Sequence, residues 1–350
     1  MGREREQLLD RLKSDGYDDG EISQAEAAGR LAALAVERTL GGEQCHTLTD
    51  LSNASGLPSS FLRELMQAVG RPNPRRGELA YTDDDVDAAK LIKRFVDAGL
   101  PREEIIDVGR VLSQGMAQAA EAVRQLAGNT LLEPGDSDYT VGLRFGAAAD
   151  ELAPLVPELL AYHFRAHLRD GVRRQAITRA EREAGRMAGT EDLAIAFADL
   201  VDYTRLGEQL EPEHVGRIAT RFAAMAARAA KRPVRLIKTI GDAALFVSPE
   251  VPAMLDTLRG VIVEVEKEGE AFPDVRVGVA YGPATAIGGD WFGSCVNLAS
   301  RVTGVAKPGR IFATEEVRDR APDEDWHRTR KRRLKGVMER VKLYSLEVER

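Results

Sequence analysis

The sequence predicts an all-α N-terminal half followed by an α/β C-terminal half, and three observations carry that prediction. From Ile22 to about Met187 the chain is rich in Ala and Leu, with helical periodicity and almost no strand signal. From Ala194 onward, apolar runs of strand length alternate with helical stretches and are punctuated by glycine. At 350 residues and 43% hydrophobic content, the chain can hold two domains with substantial cores. The expected organisation is a helical domain over 1–150, a linker helix over 151–187 and an α/β domain over 188–350.

Breaks at Gly41-Gly42, Arg71 to Gly77 and Glu133 to Ser137 divide the helical half. Leu48 to Pro58 leads into a helix reaching Gly70, and Tyr81 to Val86 leads into a longer one ending near Gly99-Leu100-Pro101. Residues 48–112 resemble a helix-turn-helix of the MerR type. Charge argues against DNA as the partner: His46 to Arg124 carries ten basic against twelve acidic side chains, a net of −2. The candidate recognition helix, Ser59 to Gly70, offers Arg63 as its one cation, whereas DNA binding needs several phosphate contacts. The expectation is a helical fold reused for regulation. Residues 138–187 are expected to continue as helix, basic and amphipathic from Leu160 onward. His163 and His167 lie four apart on one face of it, near Arg165, Arg169, Arg173 and Arg174. That makes them candidates for a pH-responsive hinge, since histidine is the side chain that titrates near neutrality. A small-molecule signal at the helical domain is the other expected input.

In the second half, Ile195 to Thr204 reads as a buried strand whose end delivers Asp199. Pro233 to Val247 holds two apolar runs around Gly241-Asp242, a hairpin with a second acid at its turn and Lys238 on its first arm. Val275 to Tyr281 reads as a strand. After Gly288-Gly289, Asp290 precedes a helix carrying Asn297 and Arg301, four apart and so on one face.

This order and spacing resembles the class III nucleotidyl cyclases, and specifically their adenylate cyclases. The family's first metal acid matches Asp199, its Lys-x-x-x-Asp hairpin matches Lys238 and Asp242, and its Asp-x-x-Gly-x-x-Val-Asn-x-x-x-Arg segment matches Asp290, Gly293, Val296, Asn297 and Arg301. Lys307 to Thr314 and Leu334-Lys335-Gly336 look like the family's later strands. The resemblance covers about residues 190–349. It implies a palm-like βαββαβ sheet and a head-to-tail homodimer, with Asp199 and Asp242 of one chain facing Lys238, Asp290, Asn297 and Arg301 of the other. Actinobacterial cyclases with a helical autoinhibitory domain ahead of the catalytic one are the analogue for the whole chain.

The chemistry explains the residue types. Ring closure needs the ribose 3′-hydroxyl to attack the α-phosphorus while pyrophosphate leaves. Two carboxylates bridging two Mg²⁺ or Mn²⁺ ions activate the hydroxyl and offset the triphosphate charge. Asp199 and Asp242 are the expected ligands, with the Leu200 carbonyl as a third by family resemblance. Arg301 is expected to meet charge growing on the α-phosphate, Asn297 to orient the ribose and Lys335 to meet the terminal phosphates. Lys238 only donates and ionised Asp290 only accepts, which suits adenine and mismatches guanine. No general base is visible in the sequence; water and Asp199 are the two acceptors open to the hydroxyl proton. The alternative function is a nucleotide-sensing transcription regulator with a non-catalytic cyclase-like domain.

Composition agrees with a soluble cytoplasmic enzyme. No apolar run approaches the ~18 residues of a membrane span. The charged start MGREREQLLDRLKSDG lacks the features of a secretory leader. Cys45 and Cys295 fall in different expected domains and build no disulfide framework. A net charge of −7 disfavours general nucleic-acid binding.

Overall fold

The computed structural model describes residues 2–182, 190–269, 271–329, 331–334 and 340–348. The chain divides into two compact units, Met1–Ala176 and Ile177–Arg350. No described helix is long and apolar enough to cross a membrane.

The first unit is helical: α1 (Gly2–Ser14), α2 (Asp19–Ala27), α3 (Leu31–Gly41), α4 (Leu48–Ser55), α5 (Ser59–Ala68), α6 (Asp83–Asp97), α7 (Arg102–Leu131), α8 (Asp138–Leu152) and α9 (Val156–Arg182). Two small cores hold it. Leu8 and Leu12 of α1 pack with Ile22, Leu31 and Leu34, against Tyr139 and Leu143 of α8. Leu51, Leu57, Phe61, Leu62, Tyr81 and Val86 form the other. The sequence marks the helix starts. Thr47 and Thr82 each close a capping box with the Asp three residues on, at α4 and α6. Residues 138–187 are not one continuous helix, contrary to expectation. Ala153–Leu155 forms a 3₁₀ turn between α8 and α9, because the ring of Pro154 removes a donor and crowds the preceding turn.

The second unit is a mixed sheet with helices on both faces. Its elements are β1 (Thr190–Leu200), α10 (Tyr203–Gly207), α11 (Pro212–Ala229), β2 (Arg235–Ile240), β3 (Ala243–Ser248), α12 (Val251–Glu266), β4 (Val275–Ile287), β5 (Asp290–Phe292), α13 (Ser294–Thr303), β6 (Arg310–Thr314), α14 (Glu315–Asp319), β7 (His327–Arg328), β8 (Arg332–Arg333), β9 (Arg340–Val341) and β10 (Leu343–Glu347). The main sheet runs β2-β3-β1-β4-β6-β10-β7, with β5 added to β4. The β4–β6 pair is parallel. The chain order β1, helices, β2, β3, α12, β4, α13, β6 contains the expected βαββαβ core.

Strand alternation sorts β1 between two cores. Ala194, Ala196, Ala198 and Leu200 join Phe222 and Met225 of α11 and Leu255, Leu258 and Ile262 of α12. Leu193 and Ile195 face the other way, to Trp291, Cys295 and Ala299 beneath α13. Full burial of a side chain such as Phe222 or Phe246, both in the first of these cores, contributes about 1.5–3 kcal/mol. Asp199 belongs to the α13 face by the same period of two.

Helix α13 lies unusually close to the sheet, and Gly278 of β4 is the reason. A Cβ there would stand 2.2 Å from the Thr303 backbone nitrogen, while the Thr303 hydroxyl donates to the Phe197 carbonyl at 3.3 Å. Neither backbone can give way. Gly278→Ala is therefore expected to destabilise the second unit by about 1–3 kcal/mol through overpacking. Urea denaturation of the full chain measures this, and an unchanged midpoint would remove the close-approach role.

Candidate active site

The hairpin between β2 and β3 turns at Gly241, whose φ of 59° favours glycine. This brings Asp242 to the end of β1. The Leu200 N–H donates to the Asp242 carbonyl at 3.1 Å, which ties the two acidic ends together. Asp199 pairs with Ala243 on one side and Arg276 on the other. The Arg276 Nε donates to Asp199 Oδ2 at 2.9 Å, and its Nη2 donates to the same oxygen. Burial first, and then the Asp199 carboxylate, push the Asp242 carboxyl above its ordinary value, with Arg276 opposing. Two half-buried carboxylates therefore share one cation. That electrostatic imbalance, in an all-oxygen donor set, fits a hard divalent ion such as Mg²⁺.

Lys238 and Asp290 form a second pair, the Lys238 Nζ donating to Asp290 Oδ2. Lys238 comes from β2, opposite Leu245 of the α13-side core. Asp290 opens β5, and its other oxygen accepts from the Trp291 N–H at 2.9 Å. The pair sits about one-third exposed. A lone donor and a lone acceptor are thus held side by side, the pattern needed to address two neighbouring positions on a purine edge.

Asn297 and Arg301 occupy the outer face of α13. Asn297 is exposed and Arg301 half-buried, while Cys295, Ala299 and Val302 pack inward. The approach to this helix is fixed at Gly293, with φ 153° and a Cβ position only 2.6 Å from the Pro283 carbonyl oxygen. Among the described residues, neither Asn297 nor Arg301 hydrogen-bonds or ion-pairs with Asp199 or Asp242. The structure thus brings together Asp199 with Asp242, and Lys238 with Asp290, but joins neither pair to Asn297 or Arg301 by a direct polar contact.

Leu200 has a side chain buried in the α11–α12 core, leaving only its backbone to act. Lys335 lies outside the described residues. His163 and His167 are exposed on α9, His163 meeting the Tyr162 ring edge-on at 5.3 Å. Arg276 is the functional residue that sequence reasoning missed. Its only signal is a cation interrupting the apolar alternation of Val275-Arg276-Val277.

The raised Asp242 has a consequence for stability. The folded chain holds a proton there more tightly than the unfolded chain, so this contribution to stability is present at low pH and is lost as pH rises through the folded value. Asp242→Asn is expected to raise the thermal midpoint at neutral pH without divalent ions, the gain shrinking in acid. It is also expected to lose the extra stability that Mg²⁺ gives the parent chain. Differential scanning fluorimetry with and without Mg²⁺ checks both, and a lowered metal-free midpoint would contradict the paired-acid geometry.

Comparison with known proteins shows the family to which the chain belongs. A family model described as an adenylate cyclase regulatory domain matches residues 2–172. One described as an adenylate and guanylate cyclase catalytic domain matches residues 186–347. The stretch likened to a MerR-type helix-turn-helix falls within the regulatory match, and no comparison supports a DNA-binding reading of it. A protein of Mycobacterium tuberculosis named a pH-sensitive adenylate cyclase is 35% identical over 360 residues, covering 98% of this chain and 88% of that protein. A Streptomyces coelicolor protein named adenylate cyclase is 30% identical over 296 residues, covering 80% of this chain and 74% of that one. The solved adenylyl cyclase CyaB from P. aeruginosa aligns with 46% of this chain and 96% of its own, at 19% identity and a TM-score of 0.40. With the regulatory and catalytic matches in tandem and a relative aligned over nearly its whole length, the chain belongs to the class III adenylate cyclase family.

Proposed function

We propose that the chain converts ATP into 3′,5′-cyclic AMP and pyrophosphate, with Asp199, Asp242 and the Leu200 carbonyl holding two divalent ions. The observation that carries this reading is the carboxylate pair beside Arg276 on the sheet face that also presents Lys238 and Asp290. When bound, Mg²⁺ or Mn²⁺ would supply the positive charge that activates the ribose 3′-hydroxyl and offsets the departing pyrophosphate. Arg276 donates to Asp199 and keeps its carboxylate aimed across the end of β1. Lys238 donates to adenine N1 and Asp290 accepts from the 6-amino group, which leaves guanine with two mismatched groups. Asn297 orients the ribose. Arg301 meets the negative charge that grows on the α-phosphate, so it binds the transition state more strongly than the ground state. Lys335 is assigned to the terminal phosphates on family resemblance alone. A cytoplasmic location suits an enzyme that draws on ATP. The transcription-regulator reading has no observation in its favour.

The site is shared between two copies of the chain in a head-to-tail homodimer. The lack of a direct polar contact from Asn297 or Arg301 to the acids within one chain supports this. So do Ile240, Ile287 and Phe292, apolar and at least half exposed around the hairpin and β5. In the first unit, the 30-residue α7 has no buried residue, yet it presents Val108, Leu112, Met116, Val123 and Leu126 to solvent. Two-fold pairing of identical chains gives two equivalent sites. Asp199→Ala and Arg301→Ala chains are each expected to lose about a hundredfold or more in cyclic AMP formation. Mixed, they are expected to regain activity, because each heterodimer then contains one intact site. No recovery in demonstrated heterodimers would place the whole site within one chain, and near-parental activity of Asp199→Ala alone would refute the metal assignment.

The first unit regulates the second, and we assign pH to it as one input. His163 and His167 stand exposed on α9 among Arg165, Arg169 and Arg173. Protonation in mild acid adds charge to a helix already rich in cations and disfavours whichever packing holds those cations closest. The relative named as pH-sensitive supports the choice of signal. The pH–activity profile of the full chain is expected to change in mild acid, and the double variant His163→Ala/His167→Ala to lose that change. Coincident profiles would remove the histidines from any such role.

A further inference from the structure

The turn before α4 and the first turn of α6 are joined at one point, the bridge between His46 and Tyr81. The Cys45 and His46 N–H groups both donate to the Tyr81 carbonyl, at 3.0 and 2.9 Å, and the Ala80 and Tyr81 N–H groups donate back to His46 at 3.0 and 3.1 Å. Cys45 and His46 therefore stand immediately before the capping residue Thr47, and Asp83 immediately after the capping residue Thr82. Both caps are closed boxes, and Asp85 is further held by the Arg71 guanidinium. The backbone beneath these three side chains is fixed on both sides.

Three unlike metal-binding groups meet there. The Cys45 Sγ, a ring nitrogen of His46 and a carboxylate oxygen of Asp83 all lie within 4.8 Å of one another. The His46 Nε2 and Asp83 Oδ1 are already 2.7 Å apart. In a tetrahedral zinc site, ligand atoms about 2.0–2.3 Å from the metal are separated by roughly 3–4 Å. Only small side-chain rotations separate this cluster from that geometry. Cys45 and Asp83 are exposed and His46 half-buried, so an ion reaches the cluster directly from solvent.

We propose that Cys45, His46 and Asp83 form a binding site for a zinc-class divalent ion in the regulatory unit, with one coordination position left to solvent. The donor set decides the class. A thiolate and an imidazole select zinc, cobalt or a similar borderline ion, whereas the all-oxygen pair at Asp199 and Asp242 suits Mg²⁺. Three protein ligands with an open fourth position make an exchangeable site rather than a closed structural one. Bound metal would clamp the starts of α4 and α6, adding a cross-link to the shared core of Leu51 and Val86 and the short bridge beside it.

Cobalt(II) titration of the full chain tests this, with a non-thiol reductant present and the carboxylate pair saturated with Mg²⁺. A sulfur-to-cobalt charge-transfer band is expected to grow to one equivalent per chain and to bleach on adding one equivalent of zinc. Oxygen-only sites give no such band, so it reports Cys45 specifically. Cys45→Ser and Cys45→Ala are expected to abolish it, and His46→Ala and Asp83→Asn to weaken cobalt binding at least about tenfold. Replacement of the buried Cys295 by Ser is expected to leave the band intact. Cys45 and Asp83 are exposed, so their replacement leaves the core untouched, and circular dichroism verifies folding of each variant. Absence of the band in the parent chain, or its survival in either Cys45 variant, overturns the proposal.

Discussion

The unfavourable meeting of Asp199 with Asp242 is the constraint around which the second unit is organised. Two carboxylates are brought to one sheet end, partly out of water, where burial and the Asp199 carboxylate both oppose ionisation of Asp242. A fold keeps such a pair only if the surroundings hold it in place. Here β1 is flanked by β3 and β4, both antiparallel and in full register up to Asp199. The Leu200 N–H pins the hairpin turn, and Arg276 returns one positive charge from the adjacent strand. Among the described residues, the residual negative charge has no protein partner. It is a local stability deficit that a divalent cation at the proposed metal site would relieve.

The same economy shapes the other wall. Lys238 and Asp290 are separated by 52 residues in sequence and meet because β5 folds back on β4 after Gly288 and Gly289, both at positive φ. Their ion pair is too exposed to contribute much to stability. Its worth is positional: each group keeps the other from turning to solvent. Helix α13 then depends on two glycines, Gly278 for its distance from the sheet and Gly293 for its entry. A side chain at either would tilt the helix carrying Asn297 and Arg301, which would move both without touching either.

Much of this was legible in the sequence because local signals and site residues coincide. The Gly241-Asp242 turn between apolar runs gave the hairpin. The apolar run from Ile195 placed Asp199 at the end of a buried strand, and the four-residue spacing put Asn297 and Arg301 on one helix face. Arg276 was not legible, because its role lies in its register with Asp199, 77 residues away, and register is a tertiary fact. The break between α8 and α9 was announced by Pro154 but outweighed by the long helical pattern on either side. The cluster of Cys45, His46 and Asp83 was hidden for the same reason as Arg276. A single bridge brings together residues 37 apart that have no common motif.

The regulatory unit differs from the catalytic one in how it is held together, and that difference bears on its role. The catalytic sheet buries apolar residues on both faces. The helical unit has two small separate cores, and its longest helix, α7, contributes no fully buried residue. Few buried contacts per residue mean a low free-energy cost for rearrangement. Elements that switch are drawn from that end of the stability range, because a ligand or proton can shift an equilibrium only by its differential affinity for the two states, typically a few kcal/mol. A tightly packed regulatory domain would resist such a bias. One held by two small separate cores, with an apolar stripe exposed along α7, lies within its reach.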